Sequence, residues 1–157
     1  MSEDLENTLH VDLDTGPIKI KLRPDLAPKH VARIKELARE GYYDGLIFHR
    51  VIPGFMAQTG CPEGTGTGGS GQKLQAEFSD ASYDRGTCGM ARTMDPDSGD
   101  SQFFITFGPT SHLDGQYTVW GEVTEGMENV DAITEGEPPA EPTKIKAMKV
   151  AADKDAA

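Results

Sequence analysis

The segment Phe48-His49-Arg50-Val51-Ile52-Pro53-Gly54-Phe55-Met56-Ala57-Gln58-Thr59-Gly60 concentrates the residues that could do chemistry. An arginine guanidinium stays charged and carries several N–H donors in a fixed plane. Arg50 sits in an extended run, a Pro-Gly turn follows, and Phe55, Met56 and Gln58 come next. That order sets a permanent cation beside bulky apolar groups. Further on, Ser101-Gln102-Phe103-Phe104-Ile105 reads as a strand. Successive strand residues point to opposite faces, so Gln102 and Phe104 share one face and Phe103 and Ile105 the other. One phenylalanine can fill a core while its neighbour lines a surface pocket. The plain alternative is that Phe55, Met56, Phe104 and Leu113 are all core and Arg50 is an ordinary surface cation.

Other motifs fail on their context. Gly66-Thr67-Gly68-Gly69-Ser70-Gly71 matches G-x-G-x-x-G. A dinucleotide site needs a strand before that pattern, a helix after it and a βαβ unit around it. Gln72 to Asp84 carries no apolar helical stripe, so the segment reads as a glycine-rich surface loop. Asp95 to Asp100 resembles a calcium loop only faintly, because Gly99 falls at its fifth position and Thr106 at its twelfth. His10, His30, His49 and His112 lack metal-ligand spacing, and His49 reads as a packed or edge histidine. No G-x-S-x-G is present, and neither cysteine has a histidine partner in sequence. Covalent catalysis has no support, and no metal or cofactor is expected.

The elements that position these residues read mainly as strands. Leu9, Val11 and Leu13 alternate with polar residues, as do Ile18, Ile20 and Leu22. Asp14-Thr15-Gly16 between them is turn chemistry, so the pair predicts a β-hairpin with one buried face. Val31, Ile34, Leu37 and Ala38 recur at helical spacing from Pro28 to Arg39. Pro28 suits the first turn and Gly41 the C′ position. A shorter helix is predicted from about Met127 to Thr134. Further strands are predicted at Ile47–Ile52, Met56–Gly60, Cys88–Ala91, Gln102–Thr106, Tyr117–Val123 and Ile145–Ala151. In the last, the apolar phase slips between Ile145/Ala147 and Met148/Val150, which predicts a β-bulge. The fold class is therefore mainly β: a closed eight-stranded antiparallel barrel capped by two helices, closure removing exposed edges.

The chain has 157 residues and a net charge of −11, which predicts one domain with short tails at 1–7 and 152–157. From Glu122 to Glu141 there are seven acidic residues and no Lys or Arg, a solvated face. Nucleic acid and anionic membranes are poor partners for such a charge. No apolar run exceeds three residues, and the first residues are acidic, so neither a membrane span nor a secretory signal is expected. Cys61 and Cys88 are too few for a disulfide scaffold and predict free thiols in a reducing cytoplasm.

Taken together, FHRVIPGFMAQTG, GTGTGG, GMAR, DSGDSQFFI and HLDGQYTVWGEV resemble the cyclophilin family of peptidyl-prolyl cis-trans isomerases. The resemblance runs from about Thr8 to Ala151 and is closest to the compact bacterial-type members. It implies an eight-stranded barrel with a helix over each end. It also implies Arg50 as the catalytic arginine, with Gln58 as its polar companion. The proline pocket would comprise Phe55, Met56, Phe104 and Leu113. Gln102 would line the groove, Gly66 would lie beside it, and the backbone of Ala91 and Arg92 would bond the peptide. His112 stands where many members have Trp, and Tyr117 where His is frequent. The first exchange implies at most weak binding of cyclosporin-type cyclic peptides. The implied partners are proline-containing peptides and unfolded or folding proteins, bound by a monomer. A proline-binding module without catalysis, or a nucleotide site at Gly66–Gly71, are the competing readings.

Overall fold

The computed structural model describes residues 5–151 except 63, 65–68, 80, 93, 94, 96, 111, 112, 137 and 138. In chain order the elements are β1 (Thr8–Leu13), β2 (Gly16–Leu22), α1 (Pro28–Arg39), β3 (Arg50–Ile52), β4 (Met56–Thr59) and β5 (Thr87–Met90). There follow β6 (Phe103–Thr106), β7 (Val119–Glu125), α2 (Met127–Asp131) and β8 (Ile145–Val150). The strands form one sheet in the order β3-β4-β6-β5-β7-β2-β1-β8, with every neighbouring pair antiparallel.

The predicted hairpin is present: Leu13 pairs with Gly16 across Asp14 and Thr15. Its inward residues Leu9, Val11, Leu13, Ile18, Ile20 and Leu22 are buried. They meet Val31, Ile34, Leu37 and Ala38 of α1 in the main core. Phe103 stands edge-on to Trp120 at 5.1 Å and to Tyr43 at 5.5 Å in that same core. The predicted bulge lies in β8, where Asp12 pairs with Ala147 but Leu13 with Ile145. The extra residue explains why the apolar phase of that strand slips.

The expected closed barrel is corrected to an open sheet. Among the described residues no ladder joins β3 to β8. β3 is only Arg50–Ile52, and the backbone of Val51 is taken by Gly136 in two hydrogen bonds of 2.8 and 3.0 Å. The segment leading into β8 thus occupies the edge that β8 would need for closure. Ile47, predicted as strand, makes only an isolated bridge to Lys144. The second helix ends at Asp131, earlier than expected. The predicted tail at 1–7 is partly structured, because Leu5–Asn7 forms a 3₁₀ turn. The Glu6 carboxylate accepts from Lys35 at 2.9 Å and Arg39 at 3.0 Å. Residues 1–4 and 152–157 lie outside the described residues. No described helix is long and apolar enough to cross a membrane.

Both ends of α1 are finished by specific contacts. Gly41, at φ +73°, follows the helix, and the amides of Gly41 and Tyr42 return to the carbonyls of Ala38 and Leu37. That is the Schellman arrangement of a glycine-terminated helix. At the other end, Ala27 offers no capping side chain. Glu77, distant in sequence, takes that role: it accepts from the amides of Lys29 at 3.2 Å and His30 at 2.8 Å. The same carboxylate lies 2.6 Å from Nδ1 of the buried His30. A carboxylate at a helix N-terminus also opposes the helix dipole. Burial pushes the Glu77 carboxyl up, but its bonds from the His30 ring and the two amides outweigh that and hold it below its usual range. Burial holds the His30 imidazole down, against the pull of Glu77, so it is neutral at pH 7.

Both shifts destabilise the fold in acid. The neutral His30 contribution is full above its unfolded value of 6.5 and declines as pH falls through the lower folded value. The Glu77 contribution is full above 4.5 and is lost below it. Urea unfolding is expected to show stability falling from pH 6.5 downward. Glu77→Ala is expected to cost about 1 kcal/mol at neutral pH. That difference should shrink in acid, and a loss independent of pH would contradict the capping role.

Candidate active site

The strand registers gather the site. Arg50 pairs with Gln58, Gln58 with Phe104, and Phe104 with Gly89. These residues form one row across four strands, on the face away from the main core. The neighbouring row, Ile52–Met56–Thr106, lies two residues along on the same face. The intervening row of Val51, Ala57, Ile105 and Cys88 points inward. Thus Phe103 joins the core, while Phe104 joins a second cluster with Met56, Tyr83, Leu113 and Val119.

Over this second cluster opens a groove of about 300 Å³ lined by Arg50, Phe55, Met56, Gln58, Ala91, Arg92, Phe104, Leu113 and Tyr117. Arg50 is exposed, whereas Phe104, Leu113 and Met56 are 5%, 6% and 3% exposed and form the floor. Gln102 is outside the lining but accepts a 2.9 Å bond from Gln58 Nε2. Its carbonyl also accepts the Ala91 amide at 3.0 Å. Gly66 and His112, two further expected site residues, lie outside the described residues.

The Phe104 ring is held from two sides. It stacks on Tyr83 at 5.7 Å and meets Tyr117 edge-on at 5.6 Å. Tyr83 Oη donates to the Tyr117 carbonyl at 2.8 Å, tying the two supports together. Gly89 makes room: a Cβ there would lie 2.5 Å from Tyr83 Oη and 2.7 Å from Phe104 Cζ. Leu113 is set by its amide bonding Thr110, whose own amide bonds the Tyr83 carbonyl, both at 2.9 Å. The Arg92 side chain is also engaged. Its Nε and Nη2 donate to the Gln116 carbonyl at 3.0 and 2.8 Å, and its guanidinium lies 4.7 Å from the Tyr117 ring centroid.

Sequence reasoning missed Tyr83, Val119 and the role of Gly89. Tyr83 sits in an unpatterned stretch and reaches the site only through tertiary packing. Gly89 did carry a signal, since a glycine inside a strand marks close approach of another group. His49 is buried, and burial holds its imidazole below the usual range, with Arg50 nearby adding to the effect. Cys61 and Cys88 are buried thiols outside any disulfide, and burial pushes the Cys88 thiol well up. Among the described residues, no three His, Cys, Asp or Glu side chains gather to hold a metal ion.

The family model for "Cyclophilin type peptidyl-prolyl cis-trans isomerase/CLD" matches residues 8–150. A probable peptidyl-prolyl cis-trans isomerase of Brucella suis is 54% identical over 145 residues, covering 85% of this chain and 74% of its own. Peptidyl-prolyl cis-trans isomerase B of Bacillus subtilis is 47% identical over 126 residues, covering 79% and 87%. The crystal structure of cyclophilin AquaCyp293 from Hirschia baltica superposes with a TM-score of 0.90 at 28% identity, over 98% of this chain and 77% of that one. A Cryptosporidium parvum cyclophilin-type isomerase, crystallised in the presence of the dipeptide Ala-Pro, gives 0.85 at 30% identity, over 91% and 98%. With the family model matching residues 8–150 and these relatives beside it, the chain belongs to the cyclophilin-type peptidyl-prolyl cis-trans isomerases and is an isomerase.

Proposed function

We propose that this groove turns X-Pro bonds by binding the twisted amide more tightly than either planar isomer. Conjugation sets a rotation barrier of roughly 18–20 kcal/mol. Uncatalysed X-Pro exchange therefore takes roughly tens to hundreds of seconds. Midway through rotation the prolyl nitrogen loses conjugation, becomes pyramidal and regains a lone pair. A donor aimed at that lone pair acts in the transition state and not in the ground states, which is what catalysis requires. Arg50 is that donor. Phe104, Met56 and Leu113 grip the proline ring, with Phe55 at the margin, while the acyl side turns. Gln58, fixed by Gln102, orients Arg50 or takes a substrate carbonyl. No covalent intermediate forms.

The observation that carries this reading is the row in which Gln58 stands between Arg50 and Phe104. Arg50 stands one strand from Gln58 and two from Phe104 in that row, which supports a cation acting beside a ring niche. Turnover of about 1–10³ per second asks for roughly 2–7 kcal/mol off the barrier. One hydrogen bond from a charged group supplies about 1.5–3 kcal/mol. Ring anchoring and desolvation supply the rest. The substrates are proline-containing segments of unfolded or folding proteins, and the Ala-Pro dipeptide of the Cryptosporidium parvum structure is the minimal ligand.

Exchange spectroscopy on an Ala-Pro peptide tests the assignment. Arg50→Ala is expected to lower the isomerisation rate by about tenfold or more, equivalent to at least 1.4 kcal/mol, with the urea midpoint unchanged. A variant with near-full activity would refute the role. Gly89→Ala probes the niche from below, because the added methyl meets Tyr83 and Phe104. It is expected to cost about 1–3 kcal/mol of stability through overpacking. It should also weaken peptide binding by about tenfold, read by titration of the folded variant. Unchanged affinity would place the proline ring elsewhere.

A further inference from the structure

The polar side of the groove rests on a buried hydrogen-bond cluster just beyond the end of a strand. The β4–β6 ladder stops at Thr59 and Phe103, one residue short of Gln102. Yet Gln102 Oε1 accepts from Gln58 Nε2 at 2.9 Å, and that bond needs the Gln102 backbone to keep its place. On the β5 side the Gln102 carbonyl accepts the Ala91 amide at 3.0 Å. On the β4 side the neighbouring Ser101 supplies the anchor. Ser101 is fully buried, and its Oγ donates to the Gly60 carbonyl at 2.7 Å. A serine hydroxyl has one proton to give. The Tyr42 hydroxyl, 3.0 Å from the same oxygen, is therefore the donor of the second bond. The Ser101 carbonyl accepts from Tyr43 Oη at 2.8 Å. Gly60 lets the two backbones abut: a Cβ there would collide with the Ser101 carbonyl oxygen and lie 2.9 Å from Gln102 Cα. Tyr43 is also fully buried, and its ring stands edge-on to Phe103 in the main core, on the side of β6 opposite the Phe104 floor. A buried polar group that loses its partner is costly, so this cluster has one favoured arrangement.

We propose that Ser101 and Tyr43 are positioning residues: through the Gln102 backbone they fix where Gln58 stands beside Arg50, and so set the catalysed rate. The proposal rests on Gln58 acting in the groove as described under the proposed function. A group that acts only through Gln58 alters stabilisation of the twisted amide and leaves the ring floor intact. Its loss therefore changes the rate and spares peptide affinity.

Tyr43→Phe keeps the ring and removes the hydroxyl, and Ser101→Ala removes the second anchor. The Gln58 side-chain amide is followed by NMR, with exchange spectroscopy and Kd on an Ala-Pro peptide. In both variants the Gln58 Nε2 proton signals are expected to move and to exchange faster with water, while the backbone signals of the β1–β2 hairpin stay in place. The catalysed rate is expected to fall by about two- to tenfold, the range of one neutral hydrogen bond, with Kd within about twofold. In a Gln102→Ala background, Tyr43→Phe should have no further effect on the rate, whereas independent losses would multiply. Unchanged Gln58 signals in folded Tyr43→Phe, rate losses that multiply, or full activity of Gln102→Ala would each overturn the proposal. If Ser101→Ala fails to fold, Tyr43→Phe decides alone. A wild-type chain that does not accelerate exchange would strike the isomerase mechanism instead, and the Gln58 signals would still decide what positions that side chain.

Discussion

The pleat of a β-strand sends adjacent residues to opposite faces, and this molecule depends on that alternation at Phe103 and Phe104. Phe103 packs on Trp120 and Tyr43 inside the main core. Phe104, one residue later, floors the groove on Tyr83 and Tyr117. A shift of one residue in the β4–β6 register would exchange the two faces. It would bury Gln58 in the core and leave Ala57 at the groove. The sheet part of the candidate site follows from that register: Arg50, Gln58 and Phe104 in one row, with Gly89 beside them. The core and the site are thus the two sides of one piece of sheet. Register is fixed by the core side, where misplacement costs most.

The groove is preorganised by packing more than by charge. Its floor residues are buried before any ligand arrives, and Phe104 is braced by two rings, one of which, Tyr83, donates to the backbone carbonyl of the other, Tyr117. Such a floor can hold a proline ring still while the rest of the substrate turns. A mobile floor would follow the rotation and stabilise all states alike. On the proposed reading the exposed Arg50 is the group that would distinguish the twisted amide, and its cross-strand neighbour Gln58 is held by Gln102. The helices stand apart from this chemistry. α1 covers the hairpin side of the sheet, and its N-terminus is capped by Glu77 from the segment that carries Phe78.

Local pattern was legible where one residue type decides the structure. The hairpin at Asp14–Thr15 follows from period two on both sides of a turn. The limits of α1 at Pro28 and Arg39 follow from a proline start and a glycine stop. The bulge in β8 was visible as a slip in apolar phase. The opposed faces of Phe103 and Phe104 required only alternation. Long-range choices were not legible. Nothing local tells that Gly136 takes the backbone of Val51 and leaves the sheet open. Nothing local tells that Glu77 caps a helix nearly fifty residues away, or that Tyr83 stacks under Phe104. The Arg92 side chain, assigned importance only through its backbone, proved to brace the Gln116 carbonyl.

The most direct test of the central claim is a crystal structure of the chain with an Ala-Pro-containing peptide. The account requires the pyrrolidine ring to sit against Phe104, Met56 and Leu113, with the Arg50 guanidinium directed at the prolyl nitrogen. A ring bound away from that floor, or an Arg50 turned from the amide in every bound conformer, would contradict it.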